Sequence, residues 1–382
     1  MTSQPATLTK LEYLDGLRGL AALYVVLFHA ILGFRHEPED VLTKVLLRLF
    51  CFGHEAVAVF IVLSGYCLTL SATRGGKRPF QVEFFPFLRR RARRILPPYF
   101  VALCGSLLLI ALVPALGVGK LTGSIWQDSH PAFSRASLVT HFLLIHNWFP
   151  ETVHTINGPL WSVATEWQIY LLLPTVFVPV YRRRGALGMI AVAAALGYGA
   201  LAFWPEWSRT AISWYTVLFA VGSAGALLHV GPQGDTVRRL RRLPWNLIAS
   251  AFTVLLALCG LGAASIWFRY QPMTDLLVGL CTAAVLIAAA EGSLGGGLPG
   301  PLKVLSSRFA LGLGRISYSL YLSHLPILAL VAATLEGAGV SPWVYRATMG
   351  IGGSVASLAV AALLYVSVER HFLNHPASER SR

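Results

Sequence analysis

The sequence predicts an all-α, polytopic integral membrane protein of about ten transmembrane helices with both termini in the cytoplasm, and three observations carry that expectation. Of the 382 residues, 55% are hydrophobic and only 13% charged, with a mean hydropathy of +0.62, whereas a soluble domain is about a quarter charged. Apolar runs of about 20 residues, the length that crosses about 30 Å of hydrocarbon as a helix, recur from Leu14 to Val368. Lys and Arg concentrate on alternate interruptions between those runs by roughly three to one, the bias that marks cytoplasmic loops.

Taken in order, the runs fall at 14–34, 50–71, 95–117, 160–181, 187–204, 210–229, 245–268, 272–291, 310–334 and 343–367. The first carries Arg18 and His29 and lacks a small-residue cleavage site, which reads as an uncleaved span rather than a signal peptide. At the inner mouth of the third stands the basic stretch FLRRRARRILPPYF at 87–100, with five arginines and the Pro97–Pro98 pair just inside. Between the third and fourth, LVTHFLLIHNWF at 138–149 is too short to cross and reads as a re-entrant or interfacial helix. The 118–158 segment is long enough for a loop to be functional, and it is the expected lid over the acceptor. Arg182 to Arg184, then Arg238, Arg239, Arg241 and Arg242, punctuate the later runs, and GSLGGGLPGPLK at 292–303 reads as a flexible linker. Trp148, Trp161, Trp204, Trp207, Trp267 and Trp343 fall near expected outer ends, as an interfacial belt does. The five cysteines are odd in number, show no C-x-x-C spacing and read as small core residues. Because apolar runs use nearly the whole chain, residues 1–382 are expected to form a single transmembrane domain with no appended soluble domain.

The formal net charge of +14 comes mostly from the predicted inner loops, where it faces anionic lipid. The lipid bilayer is therefore the expected partner, and no nucleic acid is implied.

Chemistry is sought where ionisable groups enter apolar runs, because burial there is costly unless they face the bundle or water. Arg18 and His29 lie eleven residues apart in LDGLRGLAALYVVLFHA, returning to nearly one helical face with a rise of about 16.5 Å, and Asp15 joins that face one turn below Arg18. A neutral histidine hydrogen-bonded to a neighbouring helix is an equally consistent reading of His29 alone. Arg91 and Arg94 share a face at i,i+3, a spacing that can clamp phosphate oxygens, although such a cluster also serves as a topology signal. Glu166, in GPLWSVATEWQIYLLLP, enters its run at about the depth of His29, so the pair reads as a base and its orienting carboxylate or as a structural pair. Tyr318 and Ser319 either line a donor site or bridge helices, and His324 is given no role. His130, His141, His146 and His154 are irregularly spaced without acidic partners, so no metal is expected.

The segments LDGLRGLAALYVVLFHA, VFIVLSGYCLTL, FLRRRARRILPPYF, LWSVATEWQIYLLLP, ISYSLYLSHLPIL and VERHFL occur in an order that resembles acyltransferase family 3, from about Leu14 to Leu373. These are ten-span membrane O-acyltransferases acting on lipopolysaccharide O-antigen, exopolysaccharide, peptidoglycan, nodulation-factor or macrolide acceptors. The resemblance implies a catalytic His29 reached from Arg18 by Arg-x10-His, an acyl-CoA-binding pair at Arg91 and Arg94, and a functional Glu166. Where the family often reads Glu-Glu-Gln, this chain has Glu166, Trp167 and Gln168. Its Trp-His is Ser323 and His324, and its terminal Glu-Arg-Pro is Glu369, Arg370 and His371.

The expected function is transfer of an acyl group, foremost acetyl, from cytoplasmic acyl-CoA to a hydroxyl of a carbohydrate or glycoside. Acyl-CoA is a donor substrate and no cofactor is bound permanently. The expected location is the bacterial inner membrane. Arg18, Arg91 and Arg94 anchor the donor, Asp15 holds Arg18, and His29 either deprotonates the acceptor or carries the acyl group. A macrolide-type acceptor, a proton-coupled transporter using the same His, Glu and Arg, and a catalytically silent scaffold are the alternatives.

Overall fold

The computed structural model describes residues 11–373 apart from 35–40, 74, 75, 77, 117–120, 122–132, 233, 262–269, 296 and 299. His130, Trp267 and most of the first half of the 118–158 segment lie outside the described residues, as does the side chain of Cys259. Every regular element among the described residues is helical. In chain order the α-helices of six or more residues are α1 (Glu12–Leu32), α2 (Val41–Leu49), α3 (Gly53–Thr73), α4 (Phe84–Leu112), α5 (Arg135–Phe142), α6 (Leu160–Leu172), α7 (Val178–Phe203), α8 (Pro205–Ala211) and α9 (Tyr215–Val230). They continue with α10 (Asp235–Arg241), α11 (Trp245–Leu261), α12 (Gln271–Leu294), α13 (Arg308–Gly337), α14 (Pro342–Ala347) and α15 (Ser354–Leu364).

Among the described residues, seven helical stretches are long and apolar enough to cross a membrane, or eight if α8 and α9, bent by 52°, form one span. The stretch Leu160–Phe203 counts once at 44 residues, yet Gly185 breaks it with φ 70° and ψ −171°, directly after the arginine run. At 17 residues, α11 rises about 26 Å, short of a full crossing, and the rest of its expected run is outside the described residues. The helix α4 starts at Phe84, so all five arginines of the basic stretch ride on it. Two cysteines depart from the expected core. Cys281 is buried and Cys67 half-buried, but Cys51 and Cys104 are exposed, because an apolar helix in a bilayer has a lipid-facing side as well as a packed one.

The described residues group into two compact units. The first is drawn from Met1–Ala21, His54–Glu83 and Gln168–Gly314, the second from Ala22–Gly53, Phe84–Trp167 and Arg315–Arg382. Lipid tails are as apolar as leucine, so helices associate here through close packing and hydrogen bonds rather than burial alone. In the first unit α3 and α9 cross at reciprocal glycines. A Cβ on Gly65 would lie 2.1 Å from the Phe219 carbonyl oxygen, and one on Gly222 would lie 2.1 Å from that of Val62. Nearby, the fully buried Asp275 accepts from Trp214 Nε1 at 2.8 Å and meets His54 Nε2 at 3.1 Å, with Tyr215 Oη 3.0 Å from the same nitrogen. These bonds pin α3, α9 and α12 around one carboxylate.

In the second unit Ala30 belongs to one buried cluster with Leu325, Leu328, Ala329, Ala332, Tyr345 and Met349. Tyr345 Oη donates to the Gly33 carbonyl at 3.3 Å, and a Cβ on Gly33 would stand 2.9 Å from the Met349 methyl. This packing holds the C-terminal half of α1 beside the middle of α13.

Gly222→Leu is expected to force α3 and α9 apart and to destabilise the protein by about 1–3 kcal/mol, the usual cost of overpacking. A lowered unfolding midpoint in detergent, beside an unchanged one for Gly234→Ala, where nothing lies within 4 Å, is the measurement that checks this.

Candidate active site

His29 lies one turn from the C-terminus of α1, on the part that packs with α13. It is only partly buried, while His324 opposite it on α13 is fully buried. The two rings are tilted by 42° with centroids 4.9 Å apart, and Phe28 sets its ring edge-on to His29 at 4.8 Å. Nδ1 of His29 is 3.0 Å from the Val25 carbonyl oxygen and 3.0 Å from His324 Nε2. A carbonyl only accepts, so Nδ1 donates and Nε2 keeps the lone pair. That lone pair is what a general base or a nucleophile needs.

The expected contact from Glu166 to this ring is not made among the described residues, because His324 holds the nitrogen that an orienting carboxylate would take. Glu166 is instead partly buried on α6, close enough to the Tyr321 phenol to act on it electrostatically. Sequence spacing alone assigns His324 no role, because it sets no register between helices nearly 300 residues apart. The one signal at His324 is an imidazole in an apolar run.

Pro326 explains how α13 is held at this level. Lacking an N–H, proline leaves the carbonyl four residues earlier without its helical donor, here that of Leu322. Asn157 supplies one: its Nδ2 donates to Leu322 O at 2.9 Å and contacts Ser106 Oγ on α4 at 3.3 Å. One residue earlier on α13, Tyr321 Oη donates to the Pro159 carbonyl at 3.2 Å and meets Ser162 Oγ at 2.7 Å. The chain from 133 to 160 is thereby tied to α4, α6 and α13. Ile156 takes the left-handed φ of 63°, a strained value for a β-branched residue, just before Asn157. His154 is exposed and close enough to act electrostatically on His29 and His146.

The LVTHFLLIHNWF stretch forms no span. Its helix α5 is opened by a reciprocal Ser134–Ser137 capping box and followed by Leu144 at φ 55°. His141 and His146 are fully buried and stack face to face at 3.8 Å and 10°. His141 Nδ1 donates to the Ser137 carbonyl at 2.8 Å, and Tyr99 Oη donates to the His141 carbonyl at 2.9 Å. Burial holds both rings neutral, pushing His141 down to about 4, and the neighbouring ring adds to the lowering at His146. Among the described residues no group of three or more His, Cys, Asp and Glu side chains is placed to hold a metal ion.

Of the five arginines on α4, Arg91 and Arg94 are partly buried while Arg89, Arg90 and Arg93 are exposed. The two sharing the inward face are thus those at i,i+3, and Arg91 lies over the Phe87 ring at 5.8 Å. Just beyond them, Tyr318 Oη donates to the Ile95 carbonyl at 2.9 Å. Ser319 gives both its backbone N–H and its hydroxyl to Glu369 Oε2, at 3.1 and 2.6 Å, so the carboxylate of the terminal motif caps α13 from the side. In the first unit, Arg18 donates to Asp15 Oδ1 at 2.8 Å and contacts Cys67 Sγ at 3.5 Å.

A family model for an acyltransferase domain matches residues 11–366. The acyltransferase MdmB of Streptomyces mycarofaciens is 31% identical over 173 residues, covering 44% of this chain and 40% of MdmB. The peptidoglycan O-acetyltransferase OatA of Listeria monocytogenes is 24% identical over 375 residues, 93% of this chain and 54% of OatA. The putative membrane-bound transacylase BcsY of Komagataeibacter xylinus is 28% identical over 393 residues, 97% and 86% of the two chains. This chain thus spans about half the length of MdmB and OatA. No solved structure matches it.

Two outcomes follow from the 133–160 segment. Asn157→Leu, which leaves the Leu322 carbonyl without its donor, is expected to cost about 1–3 kcal/mol, read as a lower unfolding midpoint in lipid nanodiscs. Because the folded state holds His141 neutral well below the ordinary value near 6.5, the unfolded chain binds more protons. Stability from this group is therefore complete above about pH 6.5 and is lost as pH falls toward about 4. Limited proteolysis of the segment in proteoliposomes should accelerate across that interval, and His141→Phe should flatten the response.

Proposed function

The chain belongs to the acyltransferase family, and on that premise we propose that it is a membrane-bound O-acyltransferase moving an acyl group, foremost acetyl, from acyl-CoA to a hydroxyl of a carbohydrate or glycoside. The observation that carries this reading is the accessible His29, whose Nδ1 donates to a backbone carbonyl and whose Nε2 is left with a lone pair. His29 Nε2 takes the proton of the acceptor hydroxyl, the oxygen attacks the thioester carbonyl, and the C–S bond breaks. The proton passes from Nε2 to the departing CoA sulfur, restoring the base.

Acyl-CoA is read as a substrate rather than a resident cofactor. Arg91 and Arg94, the inward pair of the α4 cluster, bind its phosphates as guanidinium groups do well. Arg18, set by its 2.8 Å bond to Asp15, is assigned the same role from its Arg-x10-His spacing. Glu166 is assigned to the acceptor, whose hydroxyls a partly exposed carboxylate can hold. Tyr318 and Ser319 support the site by fixing α13 to α4 and to Glu369. A carbohydrate acceptor is supported by the likeness to a peptidoglycan O-acetyltransferase over 93% of this chain.

The reading places the protein in the bacterial inner membrane as a single domain of ten crossings with both termini cytoplasmic. Basic α4 then meets cytosolic acyl-CoA, and the 133–160 segment covers the acceptor side.

In proteoliposomes with labelled acetyl-CoA and saccharide acceptors, CoA release should depend on acceptor and fall at least about 10²-fold in His29→Ala. Arg91→Gln and Arg94→Gln should chiefly raise KM for acetyl-CoA. Acceptor-dependent CoA release that survives His29→Ala would overturn the reading, as would solute movement without CoA release, the mark of a transporter.

A further inference from the structure

The two nitrogens of a neutral imidazole differ, one donating and one accepting, and their partners decide which is which. At His324 the backbone makes the assignment. Its Nδ1 lies 3.1 Å from the Leu320 carbonyl oxygen and 2.9 Å from that of Tyr321. Both groups only accept, so Nδ1 carries the hydrogen and Nε2 a lone pair. That lone pair faces His29 Nδ1 at 3.0 Å, and the same nitrogen faces the Val25 carbonyl at 3.0 Å. His29 Nδ1 therefore has two acceptors and must donate. The hydrogens close in one way: His324 Nδ1–H to its own helix, His29 Nδ1–H shared between Val25 O and His324 Nε2, and an open lone pair on His29 Nε2.

We propose that His324 is the positioning residue of the transfer reaction: through the Nδ1–Nε2 contact it joins the Val25 carbonyl in holding His29 in the tautomer whose Nε2 takes the acceptor proton, and it receives the hydrogen bond that strengthens when that proton arrives. The proposal rests on the reading of His29 as the base. As the hydroxyl proton moves to His29 Nε2, the oxygen bonds to the thioester carbon and the thiolate departs. The imidazolium formed in between has a charged Nδ1–H, and charge-assisted hydrogen bonds are roughly twice as strong as neutral ones. His324 thus fills the place that a carboxylate holds in a hydrolase triad, without the cost of a buried charge among apolar helices.

Burial divides the labour. His324 has no exposed surface whereas His29 is partly exposed, so only His29 Nε2 is open to a substrate. The His324 ring is also held in place. Tyr321 stands 5.8 Å from it on α13, Ser323 Oγ bonds back to the Ser319 carbonyl at 2.9 Å, and Asn157 satisfies the carbonyl freed by Pro326.

The test compares His324→Leu, which removes the acceptor, with His324→Gln, whose side-chain carbonyl can accept from His29 Nδ1, and with His29→Ala. All are assayed for acetyl-CoA turnover in proteoliposomes with a saccharide acceptor. The expected result is a fall in kcat of about 10²-fold for the leucine variant, with KM for acetyl-CoA within about twofold, and recovery of at least about tenfold in the glutamine variant. Nitrogen-15 spectra of histidine-labelled protein should show His29 Nε2 unprotonated in the wild type and a mixture of tautomers in His324→Leu. That readout keeps the proposal falsifiable if the leucine variant turns over poorly because it folds poorly. If His29→Ala is inactive while His324→Leu keeps wild-type kcat and a single His29 tautomer, the inference fails and the acyltransferase reading stands. Equal loss in the leucine and glutamine variants with unchanged tautomers also overturns it. Activity that survives His29→Ala fails the underlying reading instead.

Discussion

Inside a bilayer a polar group finds no water, so each one must be answered by the protein itself. That constraint organises the region around His29. Pro326 frees the Leu322 carbonyl and Asn157 answers it. Tyr318 spends its hydroxyl on the backbone at Ile95, next to the Pro97–Pro98 pair inside α4. Ser319 and Glu369 satisfy each other in a fully enclosed contact. Each bond is local in energy but long in sequence, and together they fix the height and rotation of α13 relative to α1 and α4 within the second unit.

Once α13 is fixed, the chemistry at His29 follows from elementary bonding rules. A helix presents a carbonyl four residues before each side chain, and Val25 does so for His29 while Leu320 does so for His324. Those carbonyls, with the His324 lone pair facing His29 Nδ1, assign the protons on both rings without any charged partner. The absence of a carboxylate from Nδ1 of His29 is physically reasonable, since a buried carboxylate there carries a desolvation cost of several kcal/mol. Where buried carboxylates do occur they are answered: Asp275 in the first unit accepts from an indole N–H and meets an imidazole, and Glu369 in the second accepts from Ser319.

Close helix approach is the second requirement, and small residues meet it. Gly65 against Phe219 and Gly222 against Val62 let α3 and α9 touch through their backbones, as Gly33 lets α1 accept Met349 in the second unit. The 133–160 segment follows the same economy of partners, its turns strained at Leu144 and Ile156 and its stacked imidazoles buried together. A segment held by so many side-chain bonds is a fixed part of the packing beside α13 rather than a loose connection.

Much of the fold was legible in the sequence because a membrane helix is written locally. Apolar length and period put α1, α3, α12 and α13 within a few residues of their expected bounds, and arginine placement marked the break at Gly185. The i,i+3 spacing of Arg91 and Arg94 singled out the inward pair, since helical period acts within one element. What the sequence could not decide were rotations and heights between helices: that His324 rather than Glu166 meets His29 Nδ1, that Asn157 completes α13, and that Cys104 faces outward. Apolar residues suit lipid and protein equally, so hydropathy carries no information about which side of a helix faces which. Only packing of the folded chain, through methyl-sized contacts and hydrogen bonds between distant residues, settles it.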